Sequence, residues 1–243
     1  MTVLVTRPAP AGQQLCQQLA QVGQPAIYHP LISIDPGREL SELCARLPHS
    51  DILIAVSQHA AHFASLTLSQ NQYPWPTDTL YLAVGQKTAH VLSKATQQKV
   101  HYPDVSDSEH LLQLPQLQQV QDKKILILRG NGGRELIYDT LTARGAHVHY
   151  LEAYQRHNLV FDAKRSVADW QAQQVDTLVV TSAEQLRFLF AQLPAAIQPW
   201  VQKQRLLVPS ARICTQAHQL GFRHVVNVGG ASNNEIMKAL QLT

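Results

Sequence analysis

The stretch KILILRGNGGRELIYDTLTARGAHVHYL, Lys124 to Leu151, reads as strand, glycine-rich turn, helix and strand in succession. Ile125 to Leu128 is an unbroken apolar run of strand length, and RGNGGRE (Arg129 to Glu135) is turn chemistry. About a dozen residues of helical spacing follow, and His147 to Leu151 begins a second strand. Two strands joined by a crossover helix belong to a parallel sheet. Because the apolar run does not alternate with polar residues, helices should cover both faces of that sheet.

The same unit recurs along the chain. Strands are expected at Val3–Thr6, Ala26–His29, Ile52–Val56, Leu80–Val84, Thr177–Thr181, Leu206–Val208 and Val225–Val228, with helices filling most of the gaps. The two halves look like copies. TVLVTRP matches KILILRG and IYHPLI matches VHYLEAY, with Arg7 to Arg129 and Tyr28 to Tyr150 both 122 residues apart. ILIAVSQHAAHF matches TLVVTSAEQLRF, and LYLAVG matches RLLVPS; Ser57 to Ser182, Phe63 to Phe188 and Gly85 to Ser210 are each 125 apart. Two similar α/β domains account for this register. The Pro-punctuated segment His29–Leu40 and the segment Leu151–Asn158 follow matching strands and are candidate linkers, held extended in the first case by Pro30 and Pro36.

Size and composition agree. At roughly 150 residues per domain, 243 residues make one large or two small domains with a real core. Charged residues are only 15% and hydrophobic ones 45%, which argues against disorder. No apolar run approaches the roughly 18 residues of a membrane span, so no membrane association is expected. MTVLVTRP does not open like a secretory signal. Cys16, Cys44 and Cys214 are odd in number and far apart, which favours a reducing cytoplasm over a disulfide framework. The net charge of +3 is compatible with an anionic ligand, but the basic residues are scattered and not interleaved with aromatics, so nucleic acid is not an expected partner.

RGNGGRE sits between strand and helix, where backbone N–H groups can hold an anion. It matches neither the P-loop nor the dinucleotide fingerprint, and a tight turn explains it equally well. Ser57, the pair Thr181 and Ser182, and Ser210 stand at helix entries after strands, with Thr88 in the first turn after Gly85. Each is explained singly as a helix cap. Together they lie beyond the carboxyl ends of parallel strands, where such sheets bind ligands. Facing rims of two such domains would form a cleft suited to a polyanion. His59 with His62, and His147 with His149, lack the acidic or thiol partners of a metal site, so no metal is expected. No nucleophile elbow and no paired catalytic carboxylates are visible.

Taken together, the sequence resembles the uroporphyrinogen-III synthase family over nearly its whole length. The resemblance is carried by LVTRP (4–8), LIAVSQHAAHFA (53–64), AVGQKTA (83–89), ILRGNGGRELIYDTLTARGA (127–146), EAYQR (152–156), VVTSAEQL (179–186) and LLVPSARI (206–213). It implies two α/β domains joined by a two-stranded ladder with a cleft between them. The first would be discontinuous, 1–33 with 159–243, the second would span 37–148, and 34–36 and 149–158 would be linker strands. It also implies a monomer without cofactor, and it leaves room for transient contact with hydroxymethylbilane synthase.

The implied reaction is loss of water from hydroxymethylbilane, inversion of ring D through a spiro intermediate, and closure to uroporphyrinogen III. The free bilane closes by itself to the unrearranged isomer, so holding one bent conformation is the main task. Tyr154 matches the family's functional tyrosine; a phenol, ordinarily of pKa about 10, is protonated at neutral pH and can donate to the leaving hydroxyl. Packing between domains is its other explanation. Ser57, Thr88 and Ser182 fall on cleft positions and are assigned to the substrate's carboxylates, with Arg7, Arg129, Gly130, Gly132, Thr181 and Ser210 as further binding residues; pairing with nearby acidic groups explains Arg7 and Arg129 equally well. VPSARI departs from the pattern of AVGQKTA, because Ile213 stands where Thr88 has its counterpart, and the two domains are not expected to act symmetrically. A non-catalytic binding or sensor protein for an anionic small molecule is the alternative, and a nucleotide-dependent transferase using RGNGGRE a third reading.

Overall fold

Apolar runs too short for a helix become strands, and the amphipathic segments between them become helices. The computed structural model describes residues 1–241. In chain order it contains β1 (Thr2–Val5), α1 (Ala11–Gln21), β2 (Ala26–Tyr28), β3 (Ile32–Pro36), α2 (Leu43–Arg46), β4 (Ile52–Ala55), α3 (Gln58–Gln70), β5 (Leu80–Ala83), α4 (Gln86–Thr96), β6 (Val100–His101), α5 (Ser108–Leu111), β7 (Lys124–Gly130), α6 (Leu136–Ala143) and β8 (His147–Asn158). There follow α7 (Ala163–Ala172), β9 (Val175–Val179), α8 (Ala183–Gln192), α9 (Gln198–Lys203), β10 (Arg205–Val208), α10 (Ala211–Gln219), β11 (His224–Asn227) and α11 (Asn233–Gln241). Each strand expected from the sequence is present. β3 contains the linker strand that the resemblance implied at 34–36, and the two-residue β6 is additional, too short to announce itself by an apolar run.

The chain forms two units: Met1–Ser33 with the chain from His157 onward, and Ile34–Arg156. In the first, the sheet order is β11-β10-β9-β1-β2, all neighbours parallel. In the second it is β3-β8-β7-β4-β5-β6, parallel from β8 to β6. The repeat pairs β1 with β7, β2 with β8, β4 with β9 and β5 with β10. With those equivalences both sheets have the same strand order, β2-β1-β9-β10-β11 against β8-β7-β4-β5-β6. Yet β7 and β8 come last in their unit whereas β1 and β2 come first. Lateral pairing, which does not depend on the order of connection, is what the two halves share.

Both sheets are buried on two faces. In the first unit Leu4 packs with Trp170, Leu178 and Leu206, while Val3 and Val5 pack with Leu15, Leu19 and Ile236. In the second, Leu53 and Ala55 join Ala60, Leu92 and Leu128 on one face, while Ile52 and Ile54 join Leu111, Ile127 and Leu141 on the other. Each fully buried leucine or isoleucine contributes roughly 1.5–3 kcal/mol. Among the described residues, no helix is long and apolar enough to cross a membrane.

Candidate functional site

In the second unit the carboxyl ends of β4, β5, β7 and β8 present Ser57, Gly85, the Arg129–Glu135 turn and Tyr154. Ser57 has an extended backbone and opens α3 as its N-cap, its hydroxyl oxygen accepting the Ala60 N–H at 3.1 Å. That bond uses a lone pair, so the hydroxyl proton stays available to an acceptor such as a carboxylate. Gly85 opens α4 with no side-chain cap, and a Cβ there would lie 2.2 Å from Ser106 Oγ. Thr88 lies in the first turn of α4 and is 8% exposed. Gln58, Gln86, Lys87, His90 and Val91, at the starts of these two helices, line a cavity of about 320 Å³.

Tyr154 owes its orientation to a fault in the strand. Side chains alternate along β8, so Tyr154 should share the face of Tyr150 and Glu152. The register of β8 against β7 instead shifts between Arg129 paired with Glu152 and Gly130 paired with Tyr154, leaving Ala153 as the extra residue of a bulge. Tyr154 thereby joins Leu151 and Ala153 on the face of Leu53 and Ala60, 3% exposed. The turn after β3 holds this bulge. Gly37 N–H donates to Ala153 O at 3.1 Å, and the Glu39 carboxylate accepts the Glu152 N–H at 2.7 Å. A Cβ on Gly37 would lie 1.8 Å from Glu152 O.

Around the phenol, Gly130 supplies the space: a Cβ there would be 2.6 Å from Tyr154 Cζ and 3.0 Å from its oxygen. Arg156 Nη2 donates to Tyr154 Oη at 2.8 Å. The His59 ring lies 5.6 Å from the Tyr154 ring, centroid to centroid. Burial lowers the His59 pKa, and the charges of Arg156 and His62 lower it further, so this imidazole is uncharged at neutral pH.

Arg129 turns to the opposite face. Its guanidinium stacks 4.2 Å above the Tyr150 ring and pairs with Glu135 at 2.9 Å, while the Tyr150 hydroxyl donates to the same carboxylate at 2.6 Å. Those two hydrogen bonds, Tyr150 first, lower the Glu135 pKa; burial and the Glu135 bond raise that of Tyr150. Gly132 is exposed and bridges to Gly130, and α6 begins only at Leu136 with Glu135 at its N-cap. Acidic side chains thus already occupy both cations of the RGNGGRE turn, Glu135 on Arg129 and Glu109 on Arg134.

In the first unit Ser182 caps α8, accepting the Gln185 N–H at 3.1 Å, and the Thr181 N–H and hydroxyl each lie 3.2 Å from Gln185 Oε1. Ser210 opens α10 without a side-chain capping bond, and Ile213 is buried against the core. Arg7 donates through Nη1 to Asn233 Oδ1, while its buried Nε has no partner among the described residues. No described carboxylate pairs with it. Burial lowers its pKa, as expected for a cation without a counter-charge. The repeat explains the contrast with Arg129: six residues on, where Arg129 has Glu135, Arg7 has Gln13.

Sequence reasoning passed over Arg156, Gly37 and Glu39, and weighed His59 only with His62 as a metal pair. Arg156 was the one with a signal, since it lies two residues from Tyr154 on the same strand. Gly37 and Glu39 lie more than a hundred residues from the bulge they hold, so no local pattern marks them.

The uroporphyrinogen-III synthase HemD family matches residues 13–228, which run through both units. The chain is 45% identical to the uroporphyrinogen-III synthase of Escherichia coli K12 over 246 aligned positions, 99% of this chain and 100% of that one. It is 42% identical to that of Salmonella typhimurium, again over 99% and 100%. A solved mutant uroporphyrinogen III synthase from Thermus thermophilus has the same fold at 19% identity, with a TM-score of 0.64 and full coverage of both chains. The Helicobacter pylori uroporphyrinogen-III synthetase structure matches at 15% identity and a TM-score of 0.59, over 100% of this chain and 99% of that one. A parallel α/β fold, a buried tyrosine on the strand after RGNGGRE, and these likenesses agree: the chain belongs to the uroporphyrinogen-III synthase family.

Proposed function

We propose that this chain is a uroporphyrinogen-III synthase, a cyclising lyase of tetrapyrrole biosynthesis that dehydrates hydroxymethylbilane and closes it with ring D inverted. The observation that carries this is a family match extending through both units. A merely binding or sensing protein is disfavoured by that membership, and a nucleotide transferase by the Glu135 carboxylate already set on the Arg129 cation.

In this reading Tyr154 is the acid. Its proton passes to the hydroxyl oxygen of the bilane, the carbon–oxygen bond breaks, and water leaves with the electron pair. The adjacent pyrrole nitrogen then carries the positive charge of an azafulvenium. Ring D attacks through its substituted α-carbon to form the spiro intermediate, which fragments and recloses the other way round. Rearomatisation releases a proton, which restores the phenol. Burial of the Tyr154 ring keeps bulk water from the electrophile, and the rigid pose of the bilane supplies most of the selectivity.

The substrate's carboxylates fall to donors without acidic partners. Arg7 is a buried cation of this kind in the first unit, and Ser57 keeps a free hydroxyl proton while capping α3. Thr88, Thr181, Ser182, Ser210 and the amides of Gly130 and Gly132 are assigned beside them, with Arg129 a secondary attraction because Glu135 neutralises it. In this reading the enzyme works as a monomer, with room for transient contact with hydroxymethylbilane synthase. Cys16, Cys44 and Cys214 are free thiols, in keeping with a reducing cytoplasm.

The test is to incubate the protein with freshly made hydroxymethylbilane and separate the product isomers. Uroporphyrinogen III is expected; only the unrearranged isomer, at the spontaneous rate, would overturn the assignment.

A further inference from the structure

Resting on Tyr154 as the acid, we propose that Arg156 is its positioning residue, fixing the phenol oxygen as an acceptor, aiming the hydroxyl proton at the substrate and holding the charge left behind. The geometry is asymmetric. Oη receives the guanidinium N–H at 2.8 Å, so one lone pair of the phenol is occupied. Its proton has no acceptor among the described residues, because no described group other than Arg156 bonds to the hydroxyl. A tyrosine that merely packed would need neither a cation on its oxygen nor a vacant donor direction.

The surroundings restrict the ring as well. Gly130 lies against its edge and Ala153 beside it, and the bulge prevents rotation back to the Tyr150 face. His59, uncharged, closes another side without adding a competing cation. Arg156 follows at i+2 on β8, which places both side chains on one face beyond the bulge. As the proton moves to the departing hydroxyl, negative charge develops on Oη, and the Arg156 N–H is already directed at that atom. Such preorganised donors stabilise a transition state more than a ground state. Arg156 itself is exposed at its outer end, so removing it leaves the core intact.

The experiment is a double-mutant cycle in the full-length enzyme. Arg156→Met should lower kcat by about tenfold or more while leaving KM within about threefold, since the lost interaction is made in the transition state. Arg156→Lys should recover part of the loss. In a Tyr154→Phe background, Arg156→Met should cost less than about twofold, because its target atom is gone. An equal loss in both backgrounds, or a rise in KM with kcat unchanged, would overturn the proposal and make Arg156 a direct contact to a substrate carboxylate. Full activity of Tyr154→Phe alone would remove the acid role on which it rests, a distinguishable failure. Unchanged thermal melting of Arg156→Met and Arg156→Lys shows that folding is not what the cycle measures.

Discussion

Gly130 and Tyr154 are paired across β7 and β8 so closely that the glycine leaves no room for a methyl group, with Tyr154 Cζ only 2.6 Å from where a Cβ would stand. Gly130→Ala therefore pushes the phenol out of place. Overpacking of this sort costs roughly 1–3 kcal/mol. A lowered melting temperature and reduced formation of uroporphyrinogen III are expected together; an unaltered melt with full activity would mean that the ring has space to spare.

Tyr154→Phe keeps the buried ring and deletes the proton. Loss of a general acid lowers kcat by roughly 10²–10⁴-fold. Stability should change by only about 1 kcal/mol, the net worth of the lost hydrogen bond. Steady-state kinetics and chemical denaturation measure the two effects separately, and a variant that retains wild-type kcat would exclude Tyr154 from the proton transfer.

Arg7→Met also separates function from stability. Its Nε is buried without a partner and no carboxylate offsets its desolvation. Arg7→Met relieves that desolvation but strips Asn233 Oδ1 of its donor, so the melting temperature should change little while KM for the bilane increases. Destabilisation with unchanged KM would show that Arg7 serves the fold alone.

Ser57 has two duties that Gly and Ala separate. At an N-cap, Ala costs about 1 kcal/mol of stability but Gly only a few tenths. Ser57→Gly should therefore melt near the wild type and still show a raised KM, because the hydroxyl donor is absent. If KM stays put in Ser57→Gly, capping is all that Ser57 does.

The stability profile against pH should bend on the acid side. His29 stands between the rings of Phe161 and Trp170, 4.7 and 4.9 Å from its own, and its Nε2 is buried without a partner. Burial lowers its pKa below 6.5. The unfolded chain then binds the proton more readily, so stability is complete above about 6.5 and is lost as pH falls through the lower folded value. His29→Phe should flatten that limb in denaturation curves at pH 5 to 7; an undiminished slope would assign it to other groups, such as His59 or His101, whose pKa values burial also lowers.

Much of this was written in the order of residues alone. Unbroken runs such as Val3–Val5 and Ile52–Ala55 can only be strands covered on both sides, and the 122- and 125-residue offsets identify which strands correspond. Hydroxyl residues ahead of α3 and α8 cap them because the unpaired amides of a helix start lie within reach of the preceding side chain, a local geometry. The tyrosine after RGNGGRE was visible as a motif. What tertiary structure alone decided is how that tyrosine points. Period-two alternation puts it with Tyr150 and Glu152, and a bulge held by Gly37 and Glu39 moves it to the face of Leu151. For Arg7 and Arg129 both levels contribute: the sequence puts Glu135 six residues after Arg129 but Gln13 six after Arg7, and folding then sets Glu135 2.9 Å from the Arg129 guanidinium while burying Arg7, because a charge takes its character from what folding brings within a few ångströms of it.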